Sequence, residues 1–90
     1  MNKINSAAEK LKVIGHPMRI KITLRLQEAG SMSVTQIIQS FGIEQAIASH
    51  HLNTLKNKGV LKSNRLDKNT FYDLSSPKIY EAVQLIVSLK

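Results

Sequence analysis

Between Ser33 and Gly59 the chain reads SVTQIIQSFGIEQAIASHHLNTLKNKG, two helical segments parted by a tight turn. Ser33-Val34-Thr35-Gln36 has the form of a capping box: a serine hydroxyl satisfies a free amide of the first turn, and a glutamine three residues on returns the bond. Behind it Val34, Ile37, Ile38 and Phe41 fall at i, i+3, i+4 and i+7, one apolar stripe closed by Gly42. Gly42-Ile43-Glu44 leaves room only for a turn before a second helical run, which continues to Lys58-Gly59. Two helices joined this closely form a helix-turn-helix pattern. Antiparallel helix pairs are common, so the flanking sequence has to specify more.

Downstream, VLKSNRLDKNTFYDL over residues 60–74 places β-branched and aromatic residues on either side of Leu66-Asp67-Lys68-Asn69. This predicts a β-hairpin with a basic tip and a four-residue turn. Helix-turn-helix followed by a basic hairpin is the winged-helix arrangement. Upstream, Ile4, Ala7, Ala8, Leu11 and Ile14 are spaced as a helix that Gly15 stops. His16-Pro17 opens a second helix running to Ala29-Gly30. Residues 19–26 of that segment alternate like a strand, but the proline start, the glycine stop and the length favour helix. Ser75-Ser76-Pro77 starts a last helix reaching about residue 89. The expected fold is mainly α with a β-hairpin: four helices, the hairpin and a fifth helix in one domain over residues 1–90. The helix-turn-helix lies at about 33–58 and the wing at about 60–74.

The last helix distributes Ile79, Tyr80, Ala82, Val83, Leu85, Ile86, Val87 and Leu89 over most of its circumference. A helix apolar nearly all round needs cover on more than one side, and a chain of 90 residues has little left to supply it. A domain of this size buries only about 60 to 65% of its unfolded surface and gains from a second subunit. The chain is therefore expected to dimerise through segments 4–14 and 77–89. Ile4, Ala8, Leu11, Ile79, Val83, Ile86 and Val87 are the expected contacts.

Charge points to the partner. Thirteen Lys and Arg against six Asp and Glu leave a formal +7, and no acid occurs between Gln45 and Leu66, where Lys56, Lys58, Lys62 and Arg65 stand. Such a surplus suits a polyanion, double-stranded DNA before an anionic membrane. On a wheel of about 100° per residue, Ile47, Ala48, His51, Leu52 and Leu55 share one arc, expected to be core. Gln45, Ala46, Ser49, His50, Asn53, Lys56 and Asn57 share the other. That second arc offers an amide, a hydroxyl, an imidazole and a cation to base edges and phosphates. Gln45, Ser49 and His50 are the expected base readers, and Arg65, Lys68 and Asn69 the expected wing contacts to backbone.

Several chemistries are excluded or disfavoured. There is no cysteine, so disulfides, thiolate metal sites and thiol redox sensing are impossible. His50 and His51 are adjacent and point about 100° apart, which is unsuited to chelation. His51 is expected against the core as a hydrogen-bonded structural histidine, and His16 as a cap or packing residue. Phe41, Phe71, Tyr72 and Tyr80 are expected in core or interface rather than as a stacking platform. The six carboxylates lie on separate segments and no phosphate loop or nucleophile motif occurs, so no enzyme activity, metal or cofactor is expected. The N-terminal sequence lacks a secretion signal and no apolar run is long enough to span a bilayer, so the expected location is the cytoplasm and no membrane partner is expected.

Three stretches resemble one family. Leu11-Lys12-Val13-Ile14-Gly15-His16-Pro17-Met18-Arg19-Ile20, the run from Ser49 to Leu61, and Phe71-Tyr72-Asp73-Leu74 are similar to the ArsR/SmtB winged-helix repressors of bacteria. The resemblance spans about residues 8 to 75. It implies homodimers held by the terminal helices, recognition helices in successive major grooves of a pseudo-palindromic operator, and wings on flanking backbone. It also implies that residues 17–29 are helical. Many metal-sensing members carry Cys-Val-Cys where this chain has Ser33-Val34-Thr35, and others carry His in the last helix, where this chain has Glu81 alone. Neither site can form here, which leaves a small organic ligand, a protein partner or abundance as the signal. Glu44 replaces the usual small hydroxyl residue before the recognition helix. Asp67 stands where the wing turn often has glycine, with Asn69 expected to supply the left-handed residue. The competing reading is a winged-helix module that binds another protein, and the polar arc of the second helix argues against it.

Overall fold

The computed structural model describes residues 2–89. Five helices, α1 (Lys3–Ile14), α2 (Pro17–Ala29), α3 (Val34–Phe41), α4 (Gln45–Asn57) and α5 (Pro77–Val87), surround an antiparallel sheet of β1 (Met32–Ser33), β2 (Leu61–Leu66) and β3 (Asn69–Leu74). Its strand order is β1-β3-β2.

The helix boundaries follow local chemistry. The Asn2 side chain accepts from the Asn5 amide at 2.9 Å and starts α1. The His16 ring caps α2 in the same way, its Nδ1 accepting from the Met18 amide at 3.1 Å, with Pro17 in the first turn. Residues 19–26 are helical despite their alternation, because Ile22, Thr23 and Leu26 form a fully buried stripe at i, i+1 and i+4. The capping box of α3 is formed in both directions: the Gln36 amide donates to Ser33 Oγ at 3.2 Å and the Ser33 amide to Gln36 Oε1 at 2.8 Å. Gly42 ends α3 at φ 61°, a conformation that costs glycine nothing. The α5 helix stops at Val87, two residues short of the sequence expectation.

The sheet departs from expectation twice. A third strand, β1, pairs Met32 with Tyr72 and Ser33 with Phe71. Ser33 thus ends a strand and caps a helix at once, which fixes α3 to the wing's inner strand. The wing turn is also tighter than four residues, since Leu66 and Asn69 are a strand pair and only Asp67-Lys68 connects them. Asp67 itself takes the left-handed conformation, φ 58°, so the role expected of Asn69 falls to Asp67. A two-residue hairpin needs positive φ at its first position, and aspartate tolerates this better than most residues.

The core joins Ile22 and Leu26 of α2, Ile37 of α3, Ala48, Leu52 and Leu55 of α4, and Met32, Val60, Leu61, Tyr72 and Leu74 around the sheet. It fixes α4 on one side only, so the opposite side faces outward beside the wing. Val83, expected at a dimer interface, is buried within its own chain, and Ile79 is half-buried against the core. Ile4, Ala8, Leu11, Ile86 and Val87 remain exposed. Among the described residues no helix is long and apolar enough to cross a membrane.

Candidate nucleic-acid interface

Gln45, Ala46, His50, Asn53, Lys56 and Asn57 are all exposed on α4, and Ser49 is half-buried at the edge of the same face. The buried side consists of Ala48, His51, Leu52 and Leu55, an arc of about 100° at helical spacing. Ile47 corrects the wheel reading. It was expected in the core arc, but it lies about 40° beyond His51, outside the covered arc, and is 44% exposed. Glu44 occupies the N-cap position and makes no side-chain capping bond. An acid is favoured there by the helix dipole but is unfavourable to a phosphate at close range.

The position of α4 is fixed at His51. This imidazole is only 6% exposed, and its Nδ1 accepts from Arg19 Nε of α2 at 2.9 Å. The same guanidinium donates to the Val13 carbonyl of α1 at 3.2 Å, so one arginine ties three helices together. The His16 ring stands edge-on to His51 at 4.8 Å between centroids. Because Nδ1 must keep its lone pair for Arg19, His51 is neutral with its proton on Nε2. Burial, then the positive charges of Arg19, His16 and His50, pushes its pKa below the ordinary value of 6.5. His50, 6.1 Å away between ring centroids, points outward from the same helix. Among the described residues no three His, Asp or Glu side chains form a group that could hold a metal ion.

This geometry makes stability pH-dependent. With the folded pKa lowered, the unfolded chain binds more protons in the window below the ordinary value, so the contribution of His51 is fully present above pH 6.5 and is lost as pH falls through the folded value. Melting temperature should therefore decline between about pH 7 and pH 5. His51→Gln, which still accepts a bond but does not titrate, should show a shallower decline. Melting curves across that range check the expectation.

The wing supplies cations. Arg65, Lys68 and Asn69 are all exposed, and Arg65 Nε leans over the turn towards the Asp67 carbonyl at 3.5 Å, leaving most of its guanidinium donors outward. Lys58, part of the basic run noted in the sequence, is neutralised instead. It pairs with Glu9 of α1 at 3.0 Å, and that hydrogen bond and charge hold the Glu9 carboxyl below its usual range. Sequence reasoning missed this pair because the two residues are 49 positions apart, and missed Arg19 as the holder of His51 for the same reason.

Comparison with known proteins agrees with this arrangement. Residues 16–63 match the family described as bacterial regulatory protein, arsR family. The transcriptional repressor PagR of Bacillus anthracis is 39% identical over 79 residues, covering 88% of this chain and 79% of PagR. Its crystal structure superposes with a TM-score of 0.84 at 37% identity, over 92% of this chain and 94% of that one. An uncharacterized HTH-type transcriptional regulator of Methanocaldococcus jannaschii, MJ1325, is 37% identical over 89 residues, 99% of this chain and 100% of its own. The fold is shared by the winged helix-turn-helix domain of Mb0332 from Mycobacterium bovis, at TM-score 0.84 and 21% identity, over 93% of this chain and 77% of that one. With the matched segment spanning the His16 cap, both helices of the helix-turn-helix and the first wing residues, the chain belongs to the ArsR family of bacterial regulatory proteins, a winged helix-turn-helix transcriptional regulator.

Proposed function

We propose that this regulator works as a homodimer that seats α4 of each protomer in successive major grooves of a pseudo-palindromic operator and represses by occupying a promoter. The observation that carries the reading is the division of the surface. The outward face of α4 is mostly polar, and the wing exposes Arg65 and Lys68. Among the described residues six of the eight exposed large hydrophobics gather instead at the two ends of the chain, Ile4 and Leu11 on α1 and Leu85, Ile86, Val87 and Leu89 on or just after α5, the other two being Ile47 on α4 and Leu66 on the wing. Gln45, Ser49 and His50 are assigned to base edges, Asn53 and Lys56 to the groove wall, and Arg65, Lys68 and Asn69 to phosphates.

Dimerisation is assigned to α1 and α5. Between them lies an apolar cleft of about 570 Å³, lined by Ala7, Leu11, Ile14, Ala82, Ile86 and Val87 among others. Water-facing apolar surface of this kind marks an association site. One chain carries a single recognition helix and measures at most 36 Å along its longest axis, whereas half-sites one DNA turn apart require two such helices about 34 Å apart. The Mb0332 domain is itself homodimeric, which supports the assignment. Release from DNA is assigned to a small organic molecule, a protein partner or abundance alone, since Ser33, Thr35 and Glu81 do not supply the thiolates or clustered imidazoles that soft metals need.

Selection of bound sequences from a random duplex library tests the reading. Inverted repeats with half-sites one turn apart should be enriched, and the affinity of the selected duplex should fall with salt at a slope of about −0.9 for each phosphate contacted. Folded protein that enriches no sequence would contradict it and favour the protein-binding alternative.

A further inference from the structure

Ile47 is the one large hydrophobic side chain of α4 that its own chain leaves exposed, at 44%. It follows Ala46, which is also exposed, in the first turn of the helix. On the wheel His50 lies between them, so the two apolar side chains flank a polar one rather than forming a separate patch. The other exposed large hydrophobics lie on α1, on and just after α5, and on the wing at Leu66. Ile47 therefore belongs by position to the proposed DNA-reading surface.

A β-branched side chain held in water on a helix surface gains nothing for the free protein, since it lowers helix propensity and leaves apolar area solvated. It gains when an apolar group covers it. At the base edges of the major groove one apolar group is available, the C5 methyl of thymine, and it occurs nowhere on adenine, guanine or cytosine. The surroundings favour a duplex as the covering surface: a formal charge of +7, and no acid between Gln45 and Leu66. Resting on the proposed DNA-binding function, we propose that Ile47 reads thymine by its methyl group, so that each operator half-site places a thymine against the first turn of α4. Gln45, Ser49 and His50 then supply the hydrogen bonds. The selectivity of this regulator is accordingly a mixture of one apolar and several polar contacts.

Replacing thymine with deoxyuridine removes that methyl and leaves the Watson–Crick edge unchanged. With the 90-residue chain and a duplex taken from the library selection, each thymine of the half-site is replaced in turn and equilibrium binding is measured. At one or two positions affinity should fall roughly fourfold in one half-site and about an order of magnitude when both are changed, the size expected for uncovering one methyl per site. Ile47→Ala should bind the thymine duplex more weakly and lose little or nothing further on deoxyuridine at the same position. Wild-type protein indifferent to every replacement would overturn the proposal without any variant having to fold, and so would a full methyl effect retained in Ile47→Ala. If the folded protein selects no duplex at all, the DNA-binding reading fails and this inference falls with it. If it selects a duplex but ignores the methyl, only the inference fails.

Discussion

The double substitution Leu11→Asp with Ile86→Asp is expected to give a folded monomer that has lost operator binding. Both side chains are exposed on the single chain, at 67% and 62%, so their replacement leaves the core untouched. At a twofold interface each substitution appears twice, and burying unpaired carboxylates against apolar surface costs several kcal/mol. Sedimentation at micromolar concentration should change from twice the chain mass to the chain mass, with helix content retained. Operator affinity should fall by about a hundredfold or more, because two linked half-site contacts become two independent ones. A dimer that survives the change would place the interface elsewhere.

Leu52→Ala should have the largest effect on folding. Leu52 is fully buried in the middle of α4 and belongs to the same core cluster as Ala48, Leu55 and Ile37. Truncation of such a side chain removes transfer energy and leaves a cavity, together about 2–5 kcal/mol. That is a large share of the roughly 5–15 kcal/mol available to a domain, and the melting temperature should fall by about 10 °C or more. Asn53→Ala, one residue on but on the exposed side, should change stability by less than about 0.5 kcal/mol. Thermal denaturation of the two variants beside the parent measures the contrast. Similar losses in both would mean that the two faces of α4 are not divided as described.

The helices were legible because their ends are written in the chain. His16, Ser33 and Ser76 each cap a helix through the side chain, and these signals need no knowledge of the tertiary neighbours, whereas α1 was read from its apolar spacing without its Asn2 cap and α4 has no side-chain cap at Glu44. The strand β1 was not legible: two residues have no period, and Met32 and Ser33 are extended only because Tyr72 and Phe71 lie beside them. The wing turn was read one pair too wide because a polar residue such as Asn69 looks alike in a turn and at a strand end, and Leu66 stands exposed beside it. Only the backbone at Asp67 distinguishes the two. Ile47 was misplaced for a different reason. A helical wheel orders residues by angle but does not say how wide an arc the neighbouring helices cover, and here the cover stops at His51. Val83 shows the converse, an apolar residue assigned to a partner when the fold had a place for it inside.

In the proposed complex α4 discriminates sequence while the wing holds the backbone. Gln45→Ala, Ser49→Ala, Arg65→Ala and Lys68→Ala, each titrated at several salt concentrations against the selected operator and a random duplex of equal length, test it most directly. The α4 variants should lose about 1–3 kcal/mol on the operator and much less on random DNA. The wing variants should weaken both duplexes equally and flatten the salt slope by about one unit per lost contact. Wing variants that alter sequence preference, with α4 variants indistinguishable from the parent on both duplexes, would contradict it.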